Sequence, residues 1–285
     1  MDVSRFRWVE CQLDSLGNCL SPAALRRALK TLPETLPDTY DRILGSIGED
    51  YRTEAHTALQ WLAFSARPLR LEEVAEAIAV KPGCGLDFVE DRLFDPYEIL
   101  TICSSLITIS DEASEIRLAH YSVKEYLMSE RILTGPRSAF ATLEVPTNGN
   151  ITKLCLTYLS LFDKPDSLSE ASLRDFPLLG YAAQYWYEHA RIADEENGID
   201  NLIVKFLNNK ESSSLPNWLR ISQPEGYYKE PSFREISEER RSPLYYASYC
   251  GLLSSARRLI DEGADVNAQG GRYGNALQAA AFQRQ

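Results

Sequence analysis

Apolar residues recur at helical spacing through most of the chain. After Ser21-Pro22, a helix-start signal, Leu25, Ala28, Leu29 and Leu32 fall on one face, and beyond Pro33 and Pro37 the series Tyr40, Ile43, Leu44, Ile47 repeats at i, i+3, i+4 and i+7. Ala55, Ala58, Leu59 and Leu62 predict another helix; Leu71, Val74, Ala75 and Ile78 predict the next, after Arg67-Pro68-Leu69. A third is expected over Tyr97 to Cys103. The period then changes from helical to alternating. Ser105 to Ser110 is rich in β-branched residues, Asp111 to Ser114 is polar, and Ile116 and Leu118 alternate with charged or small residues through Ala119, which together predict a hairpin. Ser122 and Glu125 then form S-x-x-E, a capping-box signature for one more helix.

Three helices, a hairpin and a closing helix is the winged-helix order, expected over residues 51–135. Residues 136–210 read as helical again, with Leu154, Leu156, Tyr158, Leu159 and Leu161 dense and apolar, and with a Tyr181, Tyr185, Trp186, His189 stripe that reads as core. Ser212-Ser213-Ser214, prolines and mixed charge mark 211–241 as a linker. Beyond it Leu244 recurs as Leu277 and Ala247 as Ala280, each after 33 residues, with Glu262 to Ala268 as a turn between. That period and the opening Ser242-Pro243-Leu244-Tyr245-Tyr246-Ala247 resemble an ankyrin repeat, with Ser242 and Tyr245 standing where Thr and His are usual. The expected fold class is mainly α: a helical segment over 1–50, the winged-helix domain, the helical domain, the linker, and over 242–285 the beginning of an ankyrin-repeat solenoid, one repeat and part of a second.

Charge narrows the partners. The chain carries 30 Lys and Arg against 41 Asp and Glu, a net −11, the wrong sign for a polyanion-binding surface. Within 51–135 the balance is also acidic, which argues against placing a winged-helix recognition helix on DNA phosphates. The N-terminus lacks the apolar core of a signal peptide and no run reaches the length of a membrane span, so a cytoplasmic protein with neither membrane nor nucleic-acid partner is expected. The six cysteines and three histidines are scattered without metal-ligand or disulfide spacing, so reduced, mostly buried thiols and no metal are expected. Glu72, Glu73 and Glu76, at helical spacing, read as a solvated face rather than catalytic acids.

Phe6-Arg7-Trp8-Val9 with Cys11-Gln12-Leu13, Leu32 to Leu36, Thr39 to Leu44, Arg67-Pro68-Leu69, Cys103 to Leu106, His120 to Leu127, Phe176 to Leu179 and Tyr181 to Ala183 stand in one order. In that order they resemble the region that comes after the NACHT NTPase domain in fungal NACHT-ankyrin proteins, which share their architecture with NOD-like receptors and other STAND switches. The resemblance implies that residues 1–50 are the end of the NACHT module. It also implies that the winged helix packs on a nucleotide-binding domain and that the repeats bind protein partners. No G-x-x-x-x-G-K-[ST] phosphate loop and no G-x-S-x-G elbow occur in the chain.

The expectation is therefore a non-enzymatic regulatory and interaction portion of an intracellular switch, with no cofactor held by this chain alone. The alternative is a stand-alone ankyrin adaptor or scaffold with no NTPase domain. The resemblance singles out one residue. At the position of His120, NOD-like receptors have a histidine that contacts the bound nucleoside diphosphate; here Tyr121 replaces the acidic residue that commonly comes next. The same imidazole could instead fix the wing locally. No protein-binding residue is identifiable from the sequence.

Overall fold

The structure is a computed structural model describing residues 3–17, 19–81, 85–110, 114–193, 198–208, 211–226, 231 and 242–283. It divides into two compact units, residues 1–78 with 93–143 and residues 79–92 with 144–285.

In the first unit α1 (Val3–Gly17), α2 (Pro22–Lys30) and α3 (Leu36–Ser46) come first. Ser21 and Thr35 cap the second and third by accepting the N–H groups of Ala24 and Asp38, each with proline in the first turn. Trp8 Nε1 donates to the Pro33 carbonyl at 3.0 Å and Gln12 to Thr39 Oγ1 at 2.8 Å, tying α1 to α3 and to the turn before it. Helix α4 (Arg52–Phe64) buries Ala55, Ala58, Leu59 and Trp61. Strand β1 (Leu69–Arg70), α5 (Leu71–Ala79), α6 (Glu98–Cys103), β2 (Ile107–Ile109), β3 (Glu115–Leu118), α7 (Tyr121–Leu127) and α8 (Glu130–Thr134) complete the unit.

The wing is a three-stranded antiparallel sheet in the order β1-β3-β2, with Ile116 opposite both Leu69 and Ile109. The expected hairpin is present. Its turn at 111–113 lies outside the described residues. Strand β1 had no readable pattern because two residues cannot show an alternation.

Three expectations change on folding. Glu73 and Glu76 are not solvated: they are 1 % and 3 % exposed, and only Glu72 faces water. Glu73 is held by a bidentate pair to Arg67 at 2.6 and 2.8 Å and by the Arg70 N–H at 2.8 Å, which is what a buried carboxylate requires. The helix expected to open on a Ser122–Glu125 capping box starts two residues earlier, at Tyr121, with His120 as its cap. The winged-helix unit also runs past residue 135, since Thr142 N–H donates to the Leu127 carbonyl and Phe140 is buried against the His56 ring.

In the second unit α9 (Glu144–Ser160), α10 (Glu170–Asp175), α11 (Leu179–Ala193), α12 (Ile199–Asn208) and α13 (Ser214–Ile221) enclose an aromatic core. Trp186, Trp218 and Phe206 meet edge to face or tilted, and Trp218 Nε1 donates to the Ala183 carbonyl at 2.8 Å. Helix α13 lies inside the stretch expected to be a linker. Leu215, Trp218 and Leu219 sit at i, i+3 and i+4 and are buried, a short apolar face that the surrounding serines and prolines obscured. Most of the remaining linker, 227–230 and 232–241, lies outside the described residues.

Helices α14 (Pro243–Tyr249) and α15 (Leu253–Asp261), the hairpin β4 (Gln269–Gly270) and β5 (Gly274–Asn275), and α16 (Ala276–Gln283) keep the ankyrin order, helix pair, hairpin, next helix. Among the described residues no helix is long and apolar enough to cross a membrane.

Candidate functional site

In the first unit His120 stands at the junction of wing and helix. Its backbone is extended (φ −157°, ψ 150°), continuing from Ala119, whose N–H donates to the Leu106 carbonyl at 2.9 Å. Its side chain turns back over α7, where Nδ1 accepts the Ser122 N–H at 3.2 Å and lies 2.6 Å from Ser122 Oγ. An imidazole thus does the work usually given to a Ser or Asp cap, satisfying one of the orphan amides at a helix start.

Ser122 Oγ is in turn 2.8 Å from the hydroxyl of Tyr40 on α3. Tyr40 is fully buried; burial pushes its pKa up, opposed by its contacts with Ser122 and with the Arg7 guanidinium on α1. Arg7 is itself buried and donates to Glu10 and to the Ser105 carbonyl. Helices α3 and α7 are locked further along, where Tyr126 donates to Asp41 and its ring lies 5.5 Å from that of Tyr40. Burial and that carboxylate both raise the Tyr126 pKa. Nε2 of His120 makes no hydrogen bond among the described residues, and the ring is half-buried beside the exposed Tyr121, centroids 4.3 Å apart.

A serine hydroxyl 2.6 Å from an imidazole suggests acyl transfer, but the surroundings do not assemble it. Ser122 is buried beneath Tyr40, its N–H is committed to Nδ1, and the Val123 N–H is committed to the His120 carbonyl at 3.0 Å. No pair of backbone donors is left there to stabilise an oxyanion. What the corner offers to a ligand is a single ring nitrogen next to an exposed phenol.

In the second unit the repeat has its own polar centre. Ser242 Oγ accepts the Tyr245 N–H at 3.3 Å, so the cap at the start of α14 is kept with serine in place of threonine. The Tyr245 ring reaches forward to the hairpin, where its hydroxyl accepts the Tyr273 N–H at 3.0 Å and bonds the Glu225 carboxylate. Burial and that carboxylate raise the Tyr245 pKa. Glu225 Oε1 accepts the Arg272 N–H at 2.9 Å, and the neighbouring Gly271 has φ +50°. A Cβ at Gly271 would come within 2.1 Å of both Glu225 Oε1 and the Tyr245 ring, so glycine is required here for backbone and for space.

Of the residues singled out in the sequence, His120 sits at the end of the wing, as the start of the helix. The pairings of Tyr40, Arg7 and Glu225 gave no signal, because their partners lie 82, 98 and 47 positions away. The described cysteines are free; Cys11, Cys103, Cys155 and Cys250 are buried, and burial pushes Cys103 up to about 12.

Residues 42–143 match the winged helix domain of GPI inositol-deacylase, and residues 239–271 match an ankyrin repeat. The chain is 37 % identical over 274 residues to azaphilone pigments biosynthesis cluster protein L of Monascus ruber, covering 88 % of this chain and 57 % of that protein. It spans little more than half the length of that relative. No solved structure matches. The chain is mainly helical and carries a winged helix domain and, near its C-terminus, an ankyrin repeat.

Proposed function

We propose that this chain is the non-catalytic regulatory and protein-interaction portion of a cytoplasmic NACHT-ankyrin switch. In this reading the winged helix closes on a nucleotide-binding domain, and the ankyrin repeats engage a protein partner. The observation that carries it is the union in one chain of a winged helix, whose half-buried His120 keeps one ring nitrogen without a hydrogen bond among the described residues, with an ankyrin repeat. Ankyrin modules present a stacked surface to proteins rather than a catalytic cleft. The deacylase named by the winged-helix family supplies no enzymatic role, since the nucleophile elbow is absent from this sequence.

Within the switch His120 donates a hydrogen bond to the terminal phosphate of a bound nucleoside diphosphate and holds the closed state. The test uses the natural full-length protein. If its transcript encodes a phosphate loop, His120→Ala is expected to weaken diphosphate affinity about tenfold or more, the scale of a hydrogen bond to a charged group. Because the imidazole also caps α7, the melting temperature of the present chain should fall by a few degrees as well, so the affinity is the readout that decides. A verified transcript with no phosphate loop would leave the stand-alone ankyrin adaptor. Unaltered affinity with a lower melting temperature would leave His120 a structural cap.

A further inference from the structure

The hydrogen bonds around His120 have a direction, and that direction reaches back to α3. Tyr40 Oη lies 2.8 Å from Ser122 Oγ and, with its phenol proton on that oxygen, fills one of the two serine lone pairs. With that lone pair occupied, the Ser122 hydroxyl proton is free for His120 Nδ1 at 2.6 Å. The Ser122 N–H points at the same nitrogen from 3.2 Å. A proton on Nδ1 would face the fixed Ser122 N–H, and could reach the second lone pair of Ser122 Oγ only by turning the serine proton away from its acceptor.

We propose that Tyr40 and Ser122 are positioning residues that lock His120 as the neutral Nε2–H tautomer, so that the corner recognises anionic oxygen, as in a phosphate, and refuses metal cations and donor ligands. The tautomer of a histidine is set by what its other nitrogen bonds. Here the setting is made on α3 and communicated through α7. A ligand at Nε2 and the seating of α3 on α7 are thereby linked: separating the helices withdraws Tyr40, frees the Ser122 hydroxyl to rotate, and releases the imidazole to either tautomer. The inference rests on the switch reading only for the identity of the ligand. The tautomer itself is a property of the free chain.

The experiment is ¹⁵N NMR of the intact, ligand-free chain with labelled imidazole nitrogens, the His120 signals assigned by their loss in His120→Gln. The expected spectrum has Nε2 protonated and Nδ1 bare. Tyr40→Phe keeps the ring that packs on Tyr126 and removes only the hydroxyl; Ser122→Ala keeps the backbone N–H and removes Oγ. Each should raise the Nδ1–H fraction roughly fivefold to tenfold, the scale of one net hydrogen bond, and Ser122→Thr should restore the wild-type spectrum. A wild-type chain in the Nδ1–H form, or variants that melt lower while their tautomer stays fixed, would overturn the relay. Diphosphate affinity in the full-length protein is read separately. Affinity insensitive to His120 beside a locked tautomer sinks the switch reading alone, whereas a mobile tautomer beside His120-dependent affinity sinks the relay alone.

Discussion

The hydroxyl of Tyr181 lies 2.8 Å from Nε2 of His189, two turns along the same helix, and the other ring nitrogen lies 2.6 Å from Asn148 Oδ1 on α9. Asn148 Nδ2 donates to the Glu144 carbonyl, which leaves Oδ1 as acceptor, so His189 donates from Nδ1 and accepts at Nε2. All the partners are neutral, and a protonated His189 would have to point a second N–H at a phenol oxygen in a buried site.

Burial accordingly lowers the His189 pKa to about 4. The unfolded chain takes up this proton near pH 6.5, so the folded state loses stability as pH falls from there toward 4. The contribution amounts to about 3 kcal/mol at most. Urea midpoints measured across that window should drop steadily for the wild type and less steeply for His189→Gln. Half-buried His56 in the first unit has its pKa lowered in the same direction, so the difference between wild type and variant isolates His189.

Gly271→Ala is expected to cost about 2 kcal/mol or more, because the methyl group would displace the Glu225 carboxylate and the Tyr245 ring at a backbone angle that L-residues avoid. Thermal melts monitored by tyrosine absorbance would register it. Glu225→Gln, which keeps the acceptor for the Arg272 N–H, should be milder; equal effects would mean that the carboxylate is not what the glycine accommodates.

Glu73→Ala removes the acceptor for Arg67 and the Arg70 N–H and opens a void beneath β1. A loss of about 3 kcal/mol is expected from breaking a buried ion pair on one side. Arg67→Met with Glu73→Met should recover a good part of it. A double variant no better than the single one would show that the site needs the charge itself.

Leu277, 80 % exposed, and exposed Ala281 one turn on share a face of α16 that has no stacked neighbour among the described residues. Appending a consensus ankyrin repeat should raise the unfolding midpoint and lower self-association in sedimentation, as nearest-neighbour stacking requires. No change in either would mean that this face is stable uncovered.

Periodicity made a good deal of this molecule readable. The 33-residue recurrence of Leu244 and Ala247 located the repeat, and the switch from helical spacing to the alternation of Ile116 and Leu118 located the wing. What stayed hidden was pairing at long range. Glu73 and Glu76 look solvated in a sequence because nothing local shows that Arg67 folds over the former. Trp218 sat in a stretch whose serines and prolines suggested a linker. His120 was singled out by resemblance, but the mistaken box at Ser122 and Glu125 concealed that the imidazole itself is the cap and that Tyr40, 82 positions from Ser122, completes it.

Trp186 and Trp218 meet with ring centroids 5.2 Å apart and planes at 70°. Two indoles so close and so skewed share their electronic excitation, and the resulting paired bands of opposite sign in circular dichroism depend on both rings staying in place. Trp8 and Trp61 belong to the other unit, so this light signature reports on the helices that bear Trp186 and Trp218. The chain thus has a built-in optical gauge by which melting of one half can be followed without attaching a dye.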